Sequence, residues 1–260
     1  YLVEVKDIKK YFRLDNGKID KAKAKYLHAV DHVSFKVERG EIFGIIGESG
    51  SGKSTIGRCI LGLLEIDSGE VYFDGKKISG LPARQMKEYR KDMQMVFQNP
   101  LASFNPKKTI GSIFNEIVKV YKIPKEEGKK RIHELVEYIN LTDDVLTRLP
   151  KELSGGQLQR LAIARALLVQ PKFILADEPV SALDVSVQAQ ILNLMIDLKK
   201  EKGQTILFIS HDLTVVRHVC DKVAVVYLGV IVEMGTTEDV YNNVLHPYTK
   251  ALISAKPKEH

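Results

Sequence analysis

The chain has 260 residues, 44% of them hydrophobic, and a formal net charge of +6. This length allows one large domain or two small ones, and the hydrophobic share is sufficient for an ordinary globular core. The longest fully apolar runs, such as residues 223–226, are far shorter than the roughly 20 residues that a membrane-spanning helix requires. We therefore expect neither a membrane-spanning helix nor a secretory signal in this sequence.

Charge and cysteine content narrow the class of protein. Basic proteins often bind nucleic acid or anionic membrane surfaces. Here the lysines are scattered and no aromatic residues interleave with them, so we favour a solvated surface and expect no nucleic-acid partner. Cys59 and Cys220 lie far apart in apolar surroundings, which predicts buried free thiols of a cytosolic protein rather than a disulfide framework.

The first third of the chain alternates strand signals with turns. Val3, Val5 and Ile8 predict a first strand, and the alternating apolar positions of residues 33–37 predict a half-buried strand. Local composition predicts a lysine-rich surface loop at residues 18–25, a turn at residues 39–40, a buried strand at residues 42–46, a helix start at residues 54–61 and a hairpin within residues 70–76 around an Asp-Gly pair.

Helical spacing takes over in the middle of the chain. Apolar residues recur at helical intervals within residues 110–121 and 132–139, so residues from about 100 to 167 are predicted to form a helical block. Strand signals return at residues 173–176, 205–209, 223–227 and 230–232, with Gly229 predicting a tight hairpin between the last two. The sequence thus predicts an α/β fold with a mostly parallel sheet, crossover helices and a helical insertion.

The most informative motif lies between the buried strand and the helix after it. Residues Gly47, Glu48, Ser49, Gly50, Ser51, Gly52, Lys53 and Ser54 fit G-x-x-x-x-G-K-[ST], the phosphate-binding loop of nucleoside triphosphatases. The glycines let backbone N–H groups turn toward phosphate oxygens, and the helix N-terminus adds partial positive charge. We expect Lys53 to reach the β- and γ-phosphates and the Ser54 hydroxyl to hold Mg²⁺. The alternative is a glycine-rich turn with an incidental lysine. It is disfavoured because the motif lies between a predicted strand and a predicted helix, as a phosphate-binding loop does.

Two carboxylates follow the strand at residues 173–176. In a parallel sheet, ligands bind at the carboxyl ends of the strands. We therefore expect Asp177 beside the Mg²⁺ and Glu178 near the γ-phosphate, where a base orients an attacking water. A solvated strand end would give the same pattern, and it is the phosphate loop upstream that favours the catalytic interpretation.

A third motif, formed by Leu153, Ser154, Gly155, Gly156 and Gln157, precedes a predicted helix. Ser154 is an N-cap residue and the glycines expose N–H groups, which predicts an anion site, with an ordinary capped helix as the alternative. Together with the other two motifs, and in this order, it resembles the signature of the ABC ATPases over almost the whole chain. The resemblance implies the P-loop fold of the ABC ATPases, with a mostly parallel core sheet, an antiparallel β subdomain and a helical insertion.

The resemblance assigns further residues to an ATP site. It implies that Phe12, or alternatively Tyr11, stacks on adenine, and we expect one of these adjacent aromatic residues to lie in the core. It also implies that His211 senses the γ-phosphate and that Gln98, after a strand at residues 95–97, reaches the metal. The implied ATP contacts are residues 47–54, Thr55, Phe12 and Gln98. The implied Mg²⁺ ligands are Ser54, Gln98 and Asp177.

Members of the family work as head-to-tail dimers. The resemblance therefore implies that ATP lies between the Lys53 loop of one subunit and the Ser154 loop of a second one. Four residues resemble the loop that contacts the partner subunit: Ser181, Ala182, Leu183 and Asp184. Whether the second subunit is the same chain or a different one stays open.

Three segments narrow the branch of the family. Residues 96–106, residues 180–190 and the ending at residues 246–252 resemble ATPases of the dipeptide, oligopeptide and nickel importers. This implies a peripheral subunit at the cytoplasmic face of the membrane that powers import of peptides or a related solute. Its partners would be transmembrane permease subunits and, indirectly, a solute-binding protein. Many members carry a cysteine cluster for an iron–sulfur centre after this point, and the sequence to His260 leaves open whether one follows.

The resemblance also implies a division of the single ABC ATPase domain over residues 1–260. The α/β core would comprise residues 1–98 and 168–235, the helical signature subdomain residues 99–167, and the C-terminal segment residues 236–260. Leu101 and Phe104 are expected to be exposed and to contact the permease, the alternative being that they pack inside the helical insertion.

Two other functions are alternatives to import. The first is a soluble ABC ATPase that acts on DNA or ribosomes. Repair-type members carry long coiled-coil insertions, for which Lys53 and Leu153 are too close in sequence, and translation-type members carry two cassettes. The second is a non-catalytic nucleotide sensor, and the presence of four intact residues argues against it: Lys53, Asp177, Glu178 and His211.

Overall fold

The computed structural model describes residues 1–15 and 21–255. Two compact units share the chain: the first contains Tyr1–Met86 and the chain after Gln204, and the second contains Lys87–Gln204. None of the helices within the described ranges is long and apolar enough to cross a membrane. The predicted division into core, helical subdomain and C-terminal segment stays a prediction.

Strands dominate the start of the first unit. Its elements are β1 (Val3–Arg13), β2 (Tyr26–Val37), β3 (Ile42–Ile46), α1 (Lys53–Ile60), β4 (Ser68–Phe73), β5 (Lys76–Lys77) and α2 (Ala83–Met86). As predicted, β3 is buried at every position, and β2 alternates buried with exposed positions from Val33 to Val37. Of the predicted surface loop, residues 18–20 lie outside the described residues, and Lys21–Lys23 form a 3-10 helix.

The second unit contains the predicted helical block. Its elements are β6 (Met93–Val96), α3 (Ile110–Val120), α4 (Lys125–Tyr138), α5 (Gly155–Leu167), β7 (Phe173–Asp177) and α6 (Val185–Lys202), with 3-10 helices at Lys87–Tyr89, Leu101–Ser103, Asp143–Thr147 and Pro150–Glu152. Strands β6 and β7 pair in parallel, with Val96 opposite Ala176. The strand predicted at residues 95–97 ends earlier than expected. Phe97 lies outside β6, and its carbonyl oxygen accepts a hydrogen bond from the side chain of Gln159.

The last part of the chain returns to the first unit. Its elements are β8 (Thr205–Ser210), α7 (Leu213–Val219), β9 (Lys222–Tyr227), β10 (Val230–Thr236), α8 (Thr237–Asn242) and α9 (Pro247–Ser254). Strand β3 lies between β8 and β9 and runs parallel to both, while β10 pairs antiparallel with β9. A second sheet is antiparallel and has the order β2-β1-β4-β5. The predicted parallel sheet and the predicted antiparallel β part are both present.

Two hairpin turns have the backbone that a tight connection requires. Asp74 and Gly75, between β4 and β5, have φ values of 51° and 77°. Leu228 and Gly229, between β9 and β10, have φ values of 48° and 81°. Positive φ at both central residues matches the right-handed twist of the flanking strands. Both predicted hairpins are therefore confirmed.

Each unit has its own apolar core. Ile45 of β3 and Phe208 of β8 are fully buried in the first unit, and Leu161 of α5 is fully buried in the second. Cys59 is a buried free thiol, and Cys220 is buried as well, as predicted. Burial raises the pKa of the Cys59 thiol to about 11, because a thiolate is poorly solvated in apolar surroundings.

Phe104 is buried, contrary to the expectation that it is exposed. Its side chain is only 3% exposed, and the guanidinium carbon of Arg165 lies 4.2 Å from the centre of its ring. Arg165 also donates a hydrogen bond of 2.7 Å to the Ser103 carbonyl oxygen. Burial and cation–π attraction hold the ring inside the second unit. Leu101 is 51% exposed, so it stays a candidate for contact with a partner.

Candidate functional site

The phosphate loop connects β3 to α1 and wraps around the side chain of Lys53. This side chain is buried, and its Nζ donates hydrogen bonds of 2.8 Å to the carbonyl oxygens of Gly47 and Glu48. Glu48, Ser49 and Gly50 are exposed at the tip of the loop. The loop thus places an ammonium group beside the N-terminus of α1, where partial positive charge favours an anion.

Gly52 lets the loop lie close to neighbouring strands of the same unit. Its φ is 106°, and a Cβ atom at this position would lie 2.1 Å from the carbonyl oxygen of Ala29 in β2. The turn between β9 and β10 supports the loop as well, because Gly229 N–H donates a 2.8 Å hydrogen bond to the Ser51 carbonyl oxygen. Only glycine fits this combination of backbone angle and close approach.

The hydroxyl group of Ser51 indicates that the loop suits a polar ligand. Among the described residues, Ser51 Oγ is a buried polar atom without a hydrogen-bond partner. Leaving such a hydroxyl unbonded is costly, and a phosphate oxygen would accept a hydrogen bond from it. Ser54 and Thr55 are partly exposed in the first turn of α1, so their hydroxyl groups belong to the same anion-binding end of the helix.

The two adjacent aromatic residues of β1 have different surroundings. The Tyr11 hydroxyl donates a hydrogen bond of 2.5 Å to Asp31, and its ring stacks on His28 with centroids 4.0 Å apart. The hydrogen bond to Asp31, followed by burial, raises the pKa of Tyr11 to about 12. Phe12 is 36% exposed, with Lys10 Nζ 5.3 Å from its ring centre. The expectation that one of the two lies in the core is wrong, because the side chain of Tyr11 packs at the surface of β2.

His211 follows β8 and is exposed. Strands β3 and β8 are parallel, with Ile46 opposite Ser210. The phosphate loop and His211 therefore leave the sheet at the same edge. Asp212 fixes the chain after the histidine, because its carboxylate accepts hydrogen bonds from the N–H groups of Thr214 and Val215 at the start of α7. The structure thus brings together the loop and His211 within the first unit.

In the second unit, the predicted acids and Gln98 also lie at one edge. Val96 and Ala176 are opposite each other in the parallel pair of β6 and β7, so the residues after them leave the pair on the same side. Asp177 is buried, and Glu178 and Gln98 are more exposed. Glu178 has a φ of 51°. Such a left-handed backbone is uncommon for a residue other than glycine, and Glu178 shares it with other described residues such as Asp74 and Leu228.

Gln159 is a residue that the sequence analysis did not single out. It is fully buried in α5, and its Nε2 donates hydrogen bonds to the carbonyl oxygens of Phe97, at 3.0 Å, and Pro179, at 2.6 Å. It therefore ties the segment that carries Gln98 to the segment that carries Glu178. Its position two residues after the predicted signature motif was the signal available in the sequence, but a glutamine on a helix is usually solvated.

The motif at residues 153–157 forms the start of α5. Ser154 Oγ accepts a hydrogen bond of 3.2 Å from Gln157 N–H, and the Gln157 side chain accepts one of 3.0 Å from Ser154 N–H. This capping box confirms the predicted N-cap. A Cβ atom on Gly156 would lie 2.4 Å from Cγ1 of Val187, whereas a Cβ atom on Gly155 would lie 3.4 Å from the nearest atom of Leu183. Gly156 thus permits close packing of α5 on α6.

The predicted partner-contacting loop at residues 181–184 is fixed by Gln188 of α6. Its Nε2 donates hydrogen bonds to the carbonyl oxygens of Val180, at 3.0 Å, and Leu183, at 2.9 Å. Ala182 and Asp184 are exposed. The loop is therefore ordered by its own unit while it leaves side chains available to a second protein.

The donors of the predicted metal site suit Mg²⁺. Ser54, Gln98 and Asp177 offer hydroxyl, amide and carboxylate oxygens, and Mg²⁺ prefers oxygen ligands. Within the described part of the chain, no group of three or more His, Cys, Asp and Glu residues could hold a metal ion. Mg²⁺ commonly binds through one or two carboxylates together with the phosphates of a substrate, so each of these side chains has, within its own unit, the chemistry of such a ligand.

Two protein families match separate stretches of the chain. Residues 30–181 match the family described as ABC transporter. Residues 232–260 match the family described as oligopeptide/dipeptide transporter, C-terminal region. The first match contains the phosphate loop, the motif at residues 153–157 and both predicted acids.

Curated relatives align with nearly the whole chain. The chain is 48% identical to the oligopeptide transport ATP-binding protein OppF of Streptococcus mutans, over 99% of this chain and 82% of that protein. It is 47% identical to OppF of Bacillus subtilis, over 98% of this chain and 82% of that protein. For OppF of Escherichia coli the identity is 47%, over 98% of this chain and 78% of that protein.

Solved structures resemble the chain closely. The ATP-binding cassette MJ0796, in a dimeric post-hydrolysis state bound to ADP and Pi, matches with a TM-score of 0.78 and 31% identity, over 90% of this chain and 98% of that chain. CbiO1 from Clostridium perfringens, part of the transporter complex CbiONQ, matches with a TM-score of 0.79 and 27% identity, over 93% of this chain and 90% of that chain. These likenesses confirm the predicted fold class.

Proposed function

This chain belongs to the ABC transporter family, and we propose that it is the ATP-binding and ATP-hydrolysing subunit of an importer of peptides. The chain is nearly half identical in sequence to oligopeptide transport ATP-binding proteins of three bacteria. The match of residues 232–260 to the oligopeptide/dipeptide transporter C-terminal region supports the same branch. ATP binding and hydrolysis follow from the family, which includes the cassette solved with ADP and Pi.

The phosphate loop binds the triphosphate in this proposal. Lys53 Nζ neutralises charge on the β- and γ-phosphates, and the Ser51 hydroxyl gains the hydrogen-bond partner that it lacks among the described residues. Phe12 stacks on adenine, because it is the more exposed of the two aromatic residues while Tyr11 is engaged by Asp31 and His28. The remaining proposed ATP contacts are Gly47, Glu48, Ser49, Gly50, Gly52, Ser54, Thr55 and Gln98.

Mg²⁺ would be held by Ser54, Gln98 and Asp177, as their oxygen donors suggest. When bound, the ion would supply positive charge that offsets the negative charge of the phosphates. Glu178 is the proposed general base, which accepts a proton from the attacking water. His211 would donate a hydrogen bond to the γ-phosphate, and its location at the same sheet edge as the loop supports that role.

A second ATPase subunit completes the site in this proposal. The start of α5, with Leu153, Ser154, Gly155, Gly156 and Gln157, would face the nucleotide of the other subunit, and residues 181–184 would contact that subunit. The dimeric structure of MJ0796 supports a paired arrangement. We further propose that the subunit is peripheral to the cytoplasmic face of the membrane and docks onto permease subunits that receive their solute from a solute-binding protein.

The buried Lys53, cradled by two carbonyl oxygens of its own loop, is the observation that carries the proposal. Lys53→Ala removes the cation and should lower ATP affinity or abolish hydrolysis of Mg-ATP by the purified chain. Lys77→Ala is the matched control, since this exposed lysine pairs with Glu70 on the surface. Hydrolysis at the parental rate in Lys53→Ala would refute the site. Uptake of a labelled peptide by vesicles that contain the permease, with parent or Lys53→Ala, tests the importer role.

The alternative of an ATPase acting on DNA or ribosomes gains no support from these relatives, which are transport proteins. Vesicle uptake separates the two functions, because an ATPase of the alternative class would hydrolyse ATP without supporting transport.

A further inference from the structure

The C-terminal segment touches the phosphate loop through Tyr248. The Tyr248 hydroxyl oxygen accepts a hydrogen bond from the backbone N–H of Glu48, with 3.3 Å between nitrogen and oxygen. Tyr248 lies in the first turns of α9, within the stretch that matches the oligopeptide/dipeptide transporter C-terminal region. Both residues belong to the first unit. The ATP site as proposed above assigns no role to this contact.

The N–H group of Glu48 shares one peptide unit with the carbonyl group of Gly47. That carbonyl oxygen accepts the 2.8 Å hydrogen bond from Lys53 Nζ. In a planar trans peptide, the C=O and N–H groups point in opposite directions. One peptide plane therefore faces Lys53 on its carbonyl side and Tyr248 on its amide side. Rotation of this plane would break both hydrogen bonds at once.

Tyr248 is itself fixed by neighbouring residues. The Glu233 carboxylate accepts hydrogen bonds from the N–H groups of Leu245, at 2.8 Å, and His246, at 3.1 Å. Burial raises the pKa of the Glu233 carboxyl, but the hydrogen-bond donors and charge around it, with Leu245 N–H the largest of these, lower the pKa on balance. His246 Nδ1 then accepts a 3.1 Å hydrogen bond from the Tyr248 N–H. The Tyr248 ring packs against Tyr227, with centroids 4.3 Å apart.

We propose that Tyr248 is a positioning residue of the ATP site, which acts through the Gly47–Glu48 peptide to hold Lys53 Nζ where the β- and γ-phosphates bind. The proposal rests on the ATP-binding role proposed above. A loop whose cation is already in place loses less conformational freedom when the nucleotide binds, and affinity rises accordingly. The C-terminal segment therefore sets nucleotide affinity in addition to packing on the unit.

The substitution Tyr248→Phe removes the hydroxyl group and keeps the ring that packs on Tyr227. We expect the Kd for a fluorescent ATP analogue to rise about two- to tenfold, the range for loss of one hydrogen bond. The KM for ATP should rise in parallel with little change in kcat, because a bound triphosphate itself holds Lys53. Glu233→Gln, which loosens the anchor of the segment, should raise the Kd in the same direction.

Tyr241→Phe is the matched control, because the Tyr241 hydroxyl also makes a hydrogen bond to a backbone group of the first unit, in this case by donating to the carbonyl oxygen of Leu213. A rise in Kd for Tyr248→Phe alone, with similar melting temperatures for both variants, supports positioning. If the parent chain binds the analogue, an unchanged Kd for Tyr248→Phe, or an equal rise in Kd for both variants, overturns the positioning role of Tyr248. A parent chain that fails to bind the analogue rejects the proposed ATP site as well, so the two failures are distinguishable.

Discussion

The side-chain amide of Gln159 donates a hydrogen bond of 2.6 Å to the backbone carbonyl oxygen of Pro179. The same nitrogen lies 3.0 Å from the Phe97 carbonyl oxygen, so one buried side chain joins the segments that follow β6 and β7. These segments carry Gln98 and Glu178, the proposed metal ligand and general base. Their relative position in the second unit thus depends on a residue of the helix that begins with the signature motif.

We predict that Gln159→Leu weakens both folding and catalysis. Two backbone carbonyl groups lose their donor, which should lower the free energy of unfolding by about 1–3 kcal/mol. Misplacement of the proposed base should lower kcat for ATP by about 10- to 100-fold. Urea unfolding and steady-state ATPase assays measure the two effects. Gln190→Leu, at an exposed position of α6, is the control, and equal behaviour of the two variants would contradict the linking role.

Glu178→Gln should separate nucleotide binding from hydrolysis. The amide keeps the size of the side chain and removes the base, so we expect kcat to fall by about 10²- to 10⁴-fold. ATP should still bind, and a dimer that holds uncleaved ATP should accumulate. Size-exclusion chromatography with Mg-ATP, together with analysis of the bound nucleotide, measures this. Hydrolysis at the parental rate would move the role of base to another residue, with His211 as the next candidate.

Local signals in the sequence were sufficient for much of the fold. Asp74-Gly75 and Gly229 predicted hairpins correctly, because positive φ at a turn depends on the residues of the turn itself. The strand and helix on either side of the predicted phosphate loop were equally predictable, since the apolar run and the glycines that predict them lie within one short segment. The capping box of Ser154 and Gln157 spans only neighbouring positions, and it too follows from local sequence.

Features that depend on distant partners could not be predicted in this way. Gln159 and Phe97 are 62 positions apart in sequence, so the residues near Gln159 in sequence do not predict that its side chain is buried and hydrogen-bonded. Phe104 was expected at the surface, because the residues near it in sequence do not reveal its partner Arg165, which lies on α5. Similarly, the surroundings of Tyr11 depend on Asp31 in the next strand. In each case a tertiary contact decided the environment of the side chain.

The two glycines of the signature motif should respond differently to alanine. In Gly156→Ala the new methyl group would lie 2.4 Å from Val187 Cγ1, and a valine on a helix has little rotameric freedom to move away. We expect a loss of about 1–3 kcal/mol in the free energy of unfolding, typical of overpacking. In Gly155→Ala the nearest contact is 3.4 Å, and alanine favours the helix. Thermal and urea unfolding of both variants test this, and a Gly156→Ala variant as stable as Gly155→Ala would contradict the packing argument.

Of the two residues predicted to contact the permease, Leu101 and Phe104, we now expect only Leu101 to do so. It is half-exposed while Phe104 is buried, and an exposed leucine suits the apolar face of a partner helix. Leu101→Asp should therefore leave ATP binding and the free energy of unfolding nearly unchanged and lower peptide uptake per ATP hydrolysed. Uptake and hydrolysis are measured together in vesicles that contain the permease.

Phe104→Ala provides the contrast for Leu101→Asp. Removal of a buried aromatic ring should cost about 3–5 kcal/mol of unfolding free energy, and the Arg165 guanidinium would lose the ring over which it lies. Peptide uptake with Phe104→Ala should fall because less of the protein is folded. ATPase activity should fall in the same proportion, so the amount of peptide taken up per ATP hydrolysed should stay the same. The ratio of uptake to hydrolysis thus separates a lost contact from a lost fold. An unchanged ratio for Leu101→Asp would exclude Leu101 as the site of coupling to the permease.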